Sequence, residues 1–250
     1  MIVYVWLAFF FGCVFVLGSA VGSFLNVVVY RVPRGKNLLG AFHQPRLVVA
    51  DLDVLDSLPA TQLAAGMAEA VKHGVIADAH YFEFLEAAAS ALLARDAAAL
   101  ERAVTRSIEI KAEVVSADER EAGRRAILNF GHTVGHAVEA AAKFEVLHGE
   151  AVAIGMACEA QLAEALAIAT PGTAARVRSL LQRFGLPLAL PAGASVDELM
   201  RTMRLDKKAR AGAVRFALPS AIGGMHGDAN SGWTVAAPAE AVRAALAATN

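Results

Sequence analysis

Apolar and polar residues are distributed in two different ways along this chain. From Ile2 to Tyr30 the run is apolar and holds no Asp, Glu, Lys or Arg; the first charge is Arg31. About 20 helical residues cross a hydrocarbon core, so this run predicts one transmembrane helix. Arg31, Arg34 and Lys36 follow the run instead of preceding it, which argues against a cleaved signal peptide. By the positive-inside tendency the part after the helix faces the cytoplasm, with the helix as an inner-membrane anchor.

Beyond Lys36 the pattern becomes charged, Ala-rich and helix-periodic. Apolar residues recur at helical spacing over residues 62–75, 80–95, 97–115, 124–143, 149–169, 173–184 and 196–203, predicting seven helices and a mainly α fold. A short strand is expected over 46–51, followed by a turn and helix start at Val54 to Pro59. A strand pair, 214–218 with 233–235, and a closing helix over 238–248 complete the expectation. The stretch Gly223 to Gly232 reads as a flexible glycine-rich loop, and His226 within it as a loop histidine and not a metal ligand.

Composition sharpens this division. The hydrophobic share of 56% exceeds what a soluble core needs, and the excess lies before Arg31. A net charge of −1 with scattered basic residues supplies no field for nucleic acid, so no such partner is expected. Cys13 and Cys158 form no CxxC pair, which excludes a disulfide framework and a thiolate zinc site and fits a reducing compartment.

The chemistry-bearing pattern is Asn129-Phe-Gly-His-Thr-Val-Gly-His136, which sets His132 and His136 on one helical face. His148 follows in Leu-His-Gly-Glu, and Glu69 lies mid-helix among small apolar residues, where a carboxylate is costly unless it is paired or metal-bound. Two imidazoles and one carboxylate make a recognised set for a catalytic zinc with an open position. Taken singly, each residue has a plainer reading. Glu69 could form an exposed pair with Lys72, His148 could be a loop or capping histidine, and HxxxH pairs arise by chance.

Six segments resemble, in order and spacing, the 3-dehydroquinate synthase family. They are GKNLLGAFHQP (35–45), AGMAEAVKHG (65–74), SIEIKAEVV (107–115), DEREAGRRAILNFGHTVGHAVE (118–139), LHGEAVAIGM (147–156) and DKK (206–208). The resemblance implies the helical C-terminal domain of that architecture over residues 35–250, with Glu69, His132 and His148 as ligands of zinc or cobalt and His136 beside the substrate. It assigns Lys72, Lys111, Glu121, Arg125, Asn129, Lys207 and Lys208 to the substrate pocket, and Lys36, Asn37, Val54, Leu55, Asp56 and Ser57 to NAD. The implied reaction converts 3-deoxy-arabino-heptulosonate 7-phosphate to 3-dehydroquinate and phosphate, in the shikimate route to aromatic amino acids. Cationic side chains suit such a sugar-acid phosphate. The resemblance also extends to homodimers.

Two features depart from the family. Residues 1–35 show no strand, glycine turn and helix unit for a pyrophosphate, and the expected family lysine is replaced by Val27. The expectation is therefore a chain that binds metal but turns over no substrate by itself. Residues 18–35, GSAVGSFLNVVVYRVPRG, instead resemble the first membrane helix and cytoplasmic exit of type IV prepilin peptidases, without the CxxC pairs or aspartate-bearing helices of their chemistry. A junction near residues 34–36 is expected, dividing a membrane segment, 1–34, from the enzyme-like part, 35–250.

Overall fold

The computed structural model describes residues 47–120, 123–205 and 214–249. The chain divides into two units, Met1–Ala50 and Asp51–Asn250. The apolar run over residues 2–30 lies outside the described residues. Among the described residues no helix is long and apolar enough to cross a membrane.

The second unit is mainly helical. After a 3-10 turn, Asp53–Ser57, come α1 (Ala60–Ala77), α2 (Ala79–Leu93) and α3 (Ala97–Ala117). Asp78 and Asp96 start α2 and α3 by accepting the backbone N–H groups of Tyr81 and Ala99 at 2.9 Å each, satisfying donors that a helix start leaves unpaired. The Tyr81 hydroxyl donates to the Ala103 carbonyl at 2.7 Å and pins α2 to α3. A second 3-10 turn, Arg124–Asn129, leads into α4 (His132–Ala141), α5 (His148–Ala165), α6 (Thr173–Arg183) and α7 (Val196–Leu205). The closing helix is α8 (Ala239–Ala247).

Helix α5 is the centre of the unit. Almost every residue from Gly149 to Ala163 is buried, as expected of a helix apolar on all sides. One face joins α1, α2, α3 and α6 in a core built on Phe82, Phe130, Met156 and Phe184. The opposite face joins α4, α7, α8 and Phe216 in a second core. Close approach depends on glycine. A Cβ on Gly149 would lie 1.9 Å from the Ala65 carbonyl oxygen of α1, and one on Gly155 would lie 1.9 Å from that of Gly131.

Three expectations need correction. The helix expected over 124–143 is broken at Gly131, whose φ of 80° ends the 3-10 turn and starts α4 in a new direction. The strand expected over 46–51 has no regular structure where it is described, over 47–51. The glycine-rich stretch is not simply a loop: β2 (Pro219–Ala221) pairs with β3 (Gly224–Met225), and the Gly223 N–H donates to the Val75 carbonyl of α1 at 2.9 Å. The expected outer pair is present in shortened form as antiparallel β1 (Arg215–Phe216) and β4 (Val235–Ala236).

Candidate metal and substrate site

Three helices converge on one point. Glu69 lies in the middle of α1, His132 is the first residue of α4, and His148 is the first residue of α5. The small residues around Glu69 and the absence of a side chain at Gly149 let the start of α5 reach α1. One ligand atom from each of Glu69, His132 and His148 lies within 4.8 Å of the others.

The hydrogen bonds fix which ring nitrogens face the centre. Nδ1 of His132 lies 3.1 Å from the Phe130 carbonyl, and Nδ1 of His148 lies 3.0 Å from the Glu139 carboxylate. Both partners accept, so both Nδ1 atoms donate, and a ring that holds no second proton turns the lone pair of Nε2 inward. The two Nε2 atoms lie 3.5 and 3.6 Å from the same oxygen, Glu69 Oε1. Lone pairs aimed at a carboxylate oxygen are stable only with a cation between them, either a proton on each ring or a metal ion. A tetrahedral site with bonds of about 2.1 Å separates its ligand atoms by about 3.4 Å, so the spacing fits a divalent metal. Glu139 then takes the part of the outer carboxylate that orients a ligating histidine.

The second Glu69 oxygen is ion-paired with Lys72, which is 4% exposed. The Glu69–Lys72 pair anticipated at the surface therefore exists, but its lysine is buried while Glu69 is half-buried, and it coexists with the three-residue cluster. Burial opposes the charged form of Glu69, yet His132 and Lys72 outweigh it and hold the carboxyl well below its usual range. Burial pulls the Lys72 pKa down, opposed by Glu69, while nearby Lys111 adds to the lowering.

These residues line a cavity of about 580 Å³. Lys72, Lys111, Arg125, Asn129, His132 and His148 face it together with Glu69, and Leu128 and Ile108 form an apolar wall. Arg125 is held by its backbone N–H to Asp118 at 2.9 Å and by its guanidinium to the Glu119 carbonyl at 3.0 Å. His136 stands outside the three-ligand cluster, with its ring 5.4 Å from that of His132 and 6.3 Å from that of His148. Val54, Leu55, Asp56 and Ser57 form the first 3-10 turn, where Ser57 Oγ donates to the Val54 carbonyl and the Arg95 guanidinium donates to the Leu55 carbonyl, both at 3.1 Å. Lys36, Asn37, Glu121, Lys207 and Lys208 lie outside the described residues.

Reasoning from the sequence missed Glu139, His73 and Glu159. His73 lines the cavity with Nδ1 2.6 Å from Ser107 Oγ. Glu159 is fully buried in α5. A solitary carboxylate in an apolar helix, the signal that singled out Glu69, was equally present at Glu159.

A mainly helical unit whose two histidines and one carboxylate could hold a metal ion beneath a cation-lined cavity has a sugar-phosphate cyclase-like architecture. Solved structures agree with this class. The chain is similar to 2-epi-5-epi-valiolone synthase from Streptomyces hygroscopicus with NAD+ and Zn2+ bound (TM-score 0.74, 29% identity, covering 86% of this chain and 58% of that one). It is also similar to 2-deoxy-scyllo-inosose synthase complexed with carbaglucose-6-phosphate, NAD+ and Co2+ (TM-score 0.74, 26% identity, covering 84% and 59%).

Sequence comparison gives the family. Residues 66–209 match the family described as 3-dehydroquinate synthase C-terminal, and residues 16–65 match 3-dehydroquinate synthase N-terminal. The chain belongs to the 3-dehydroquinate synthase family. It is 53% identical over 189 residues to the 3-dehydroquinate synthase of Symbiobacterium thermophilum, covering 75% of this chain and 53% of the relative. With that of Caulobacter vibrioides the identity is 51% over 197 residues, covering 76% and 53%. The chain thus spans about half the length of the curated relatives it matches. The N-terminal match begins at residue 16, inside the uncharged apolar run and ahead of the stretch 18–35 likened to a prepilin-peptidase helix, so the family likeness reaches further toward the start than the expected junction at 34–36. The prepilin-peptidase likeness gains no support from these comparisons.

Proposed function

We propose that this chain carries the metal- and substrate-binding part of a 3-dehydroquinate synthase, acting on 3-deoxy-arabino-heptulosonate 7-phosphate. The observation that carries this reading is the convergence of Glu69, His132 and His148 at the floor of a cavity that also presents Lys72, Lys111 and Arg125. Identities near 50% to named 3-dehydroquinate synthases, against 29% and 26% to the two other cyclases, favour this substrate.

In this reading Glu69, His132 and His148 hold zinc or cobalt, which supplies Lewis acidity toward substrate hydroxyl oxygens. NAD, held in part by Lys36, Asn37 and the Val54 to Ser57 turn, supplies reversible hydride transfer. The chain's own residues do the rest. Arg125 offers a planar fork to the substrate carboxylate, and Lys72 and Lys111 offer point charges to its anionic groups, joined by Lys207 and Lys208. Lys72 is already paired with Glu69 and so is aimed into the cavity before substrate arrives. Asn129 and Glu121 supply neutral and acidic partners for hydroxyl groups, and His136 stands beside the substrate.

The domain reading is part of the proposal: residues 35–250 form the enzyme-like part and residues 2–30 a membrane span with the enzyme-like part on the cytoplasmic side. Its support is the uncharged run followed by Arg31, Arg34 and Lys36. Homodimerisation, as the family resemblance implies, is proposed as well.

The test is inorganic phosphate release from the heptulosonate phosphate by the zinc-loaded 250-residue chain with saturating NAD, alone and with a family nucleotide-binding domain fused ahead of Lys36. The chain spans about half the length of the relatives it matches, and a misplacement of about 1 Å in a reacting group costs about a hundredfold. The expected result is release only with the fused domain. Release by neither form, from folded and metal-loaded protein, would refute the assignment.

A further inference from the structure

Glu159 lies about three turns after His148 on α5, fully buried in a helix that is otherwise apolar there. A carboxylate in such a place persists only where its oxygens are satisfied. Its partners are remote in sequence: one oxygen accepts the Gly131 N–H at 2.7 Å, and the other accepts the Val134 N–H at 3.0 Å. Both donors belong to the start of α4, whose first N–H groups have no partners within the helix. Gly131, the residue at the cap position, has no side chain to accept them. A carboxylate from the neighbouring helix therefore does the capping, placed where the positive end of the α4 dipole favours a negative charge.

His132 sits between these two anchored residues. The same backbone stretch is held on its other side, because the Gly131 carbonyl abuts Gly155 so closely that a Cβ there would be 1.9 Å away. The Phe130 carbonyl that receives His132 Nδ1–H belongs to this stretch too. Fixing the backbone at residues 130–134 thus fixes both the ring of His132 and the direction of its Nε2.

We propose that Glu159 is a positioning residue for the metal centre: by capping α4 through space it aims His132 at the point shared with Glu69 and His148. The proposal rests on the reading of His132 as a metal ligand. Glu159 is not one of the three converging side chains, and it acts on His132 through the backbone of α4.

The experiment uses the full chain and Co2+ as the probe. Wild type, Glu159→Gln, Glu159→Asp and a control, Leu92→Ala in the core of α2, are compared for Co2+ affinity by chelator competition, for the visible absorption of bound Co2+, and for thermal melting. Glutamine keeps one accepting oxygen but sets an NH2 against the second N–H, so Glu159→Gln weakens Co2+ binding by about 10- to 100-fold and alters its absorption. Aspartate keeps the charge and recovers part of the affinity. The control lowers the melting temperature and leaves both Co2+ readouts unchanged, which separates aiming from general stability. If Glu159→Gln does not fold, Glu159→Asp decides: a several-fold loss of affinity with an altered spectrum supports the proposal. Wild-type affinity and spectrum in a folded Glu159 variant would overturn it, and so would an equal loss in the control. Failure of the wild type itself to take up Co2+ would instead overturn the ligand assignment on which the proposal stands.

Discussion

His73 makes a sharp prediction about acid stability. It follows Glu69 by one helical turn, is 5% exposed, and has no hydrogen-bond partner for Nε2 among the described residues. Burial, reinforced by the neighbouring Lys72 ammonium, pulls its pKa down to about 3. In the unfolded chain the value returns to about 6.5. The unfolded state therefore takes up a proton that the folded state refuses. Stability from this group is complete above about pH 6.5 and is lost as the pH falls from there toward about 3. At about pH 5 the linkage relation gives a loss of about 2 kcal/mol, against about 0.2 kcal/mol near pH 7. The figure at pH 5 depends almost wholly on the unfolded value, because the folded pKa lies well below 5. His73→Gln keeps a polar neighbour for Ser107 and removes the titration. Urea unfolding of both proteins near pH 7 and pH 5 should show wild type losing about 2 kcal/mol more than the variant over that interval. Equal losses in the two proteins would mean that His73 titrates as freely when folded as when unfolded. A metal ion at Glu69 would disfavour His73 protonation further, so loading metal leaves the direction unchanged.

Two further outcomes follow from the same geometry. Gly155→Ala sets a methyl group 1.9 Å from the Gly131 carbonyl oxygen and 2.9 Å from the Gly135 nitrogen; it should cost about 1–3 kcal/mol in urea unfolding or more, and a cost near zero would show that α4 and α5 are not so tightly joined. Glu139→Gln removes the charged acceptor that holds His148 Nδ1–H at 3.0 Å; zinc affinity by chelator competition should fall about 10- to 100-fold, and an unchanged affinity would remove Glu139 from the account.

The helices were legible because their apolar spacing is a local property, and α1, α2, α3, α6 and α7 fall within a few residues of the expected spans. The 124–143 expectation failed at one residue. Gly131 reads as a tolerable glycine in a helical pattern, yet its positive φ and its contact with α5 come from packing that spacing does not report. The β2–β3 pair escaped for a related reason, since strands of two or three residues carry no period and this one is secured by a backbone bond to α1. At the site, local spacing pointed to His132 with His136, whereas the ligand atoms that meet are those of Glu69, His132 and His148, on three helices. Only the family resemblance joined those distant segments. Glu139 and Glu159 were hidden because their partners lie 9, 25 and 28 residues away, beyond any helical spacing.

The central claim is that the three converging side chains bind one divalent metal and that His136 does not. It is tested most directly by the zinc content of the dialysed 250-residue chain beside His148→Ala and His136→Asn, each checked for folding. The account predicts about one zinc per wild-type chain, loss in His148→Ala and retention in His136→Asn. Retention by His148→Ala together with loss in His136→Asn would place the metal on the HxxxH pair and contradict the assignment.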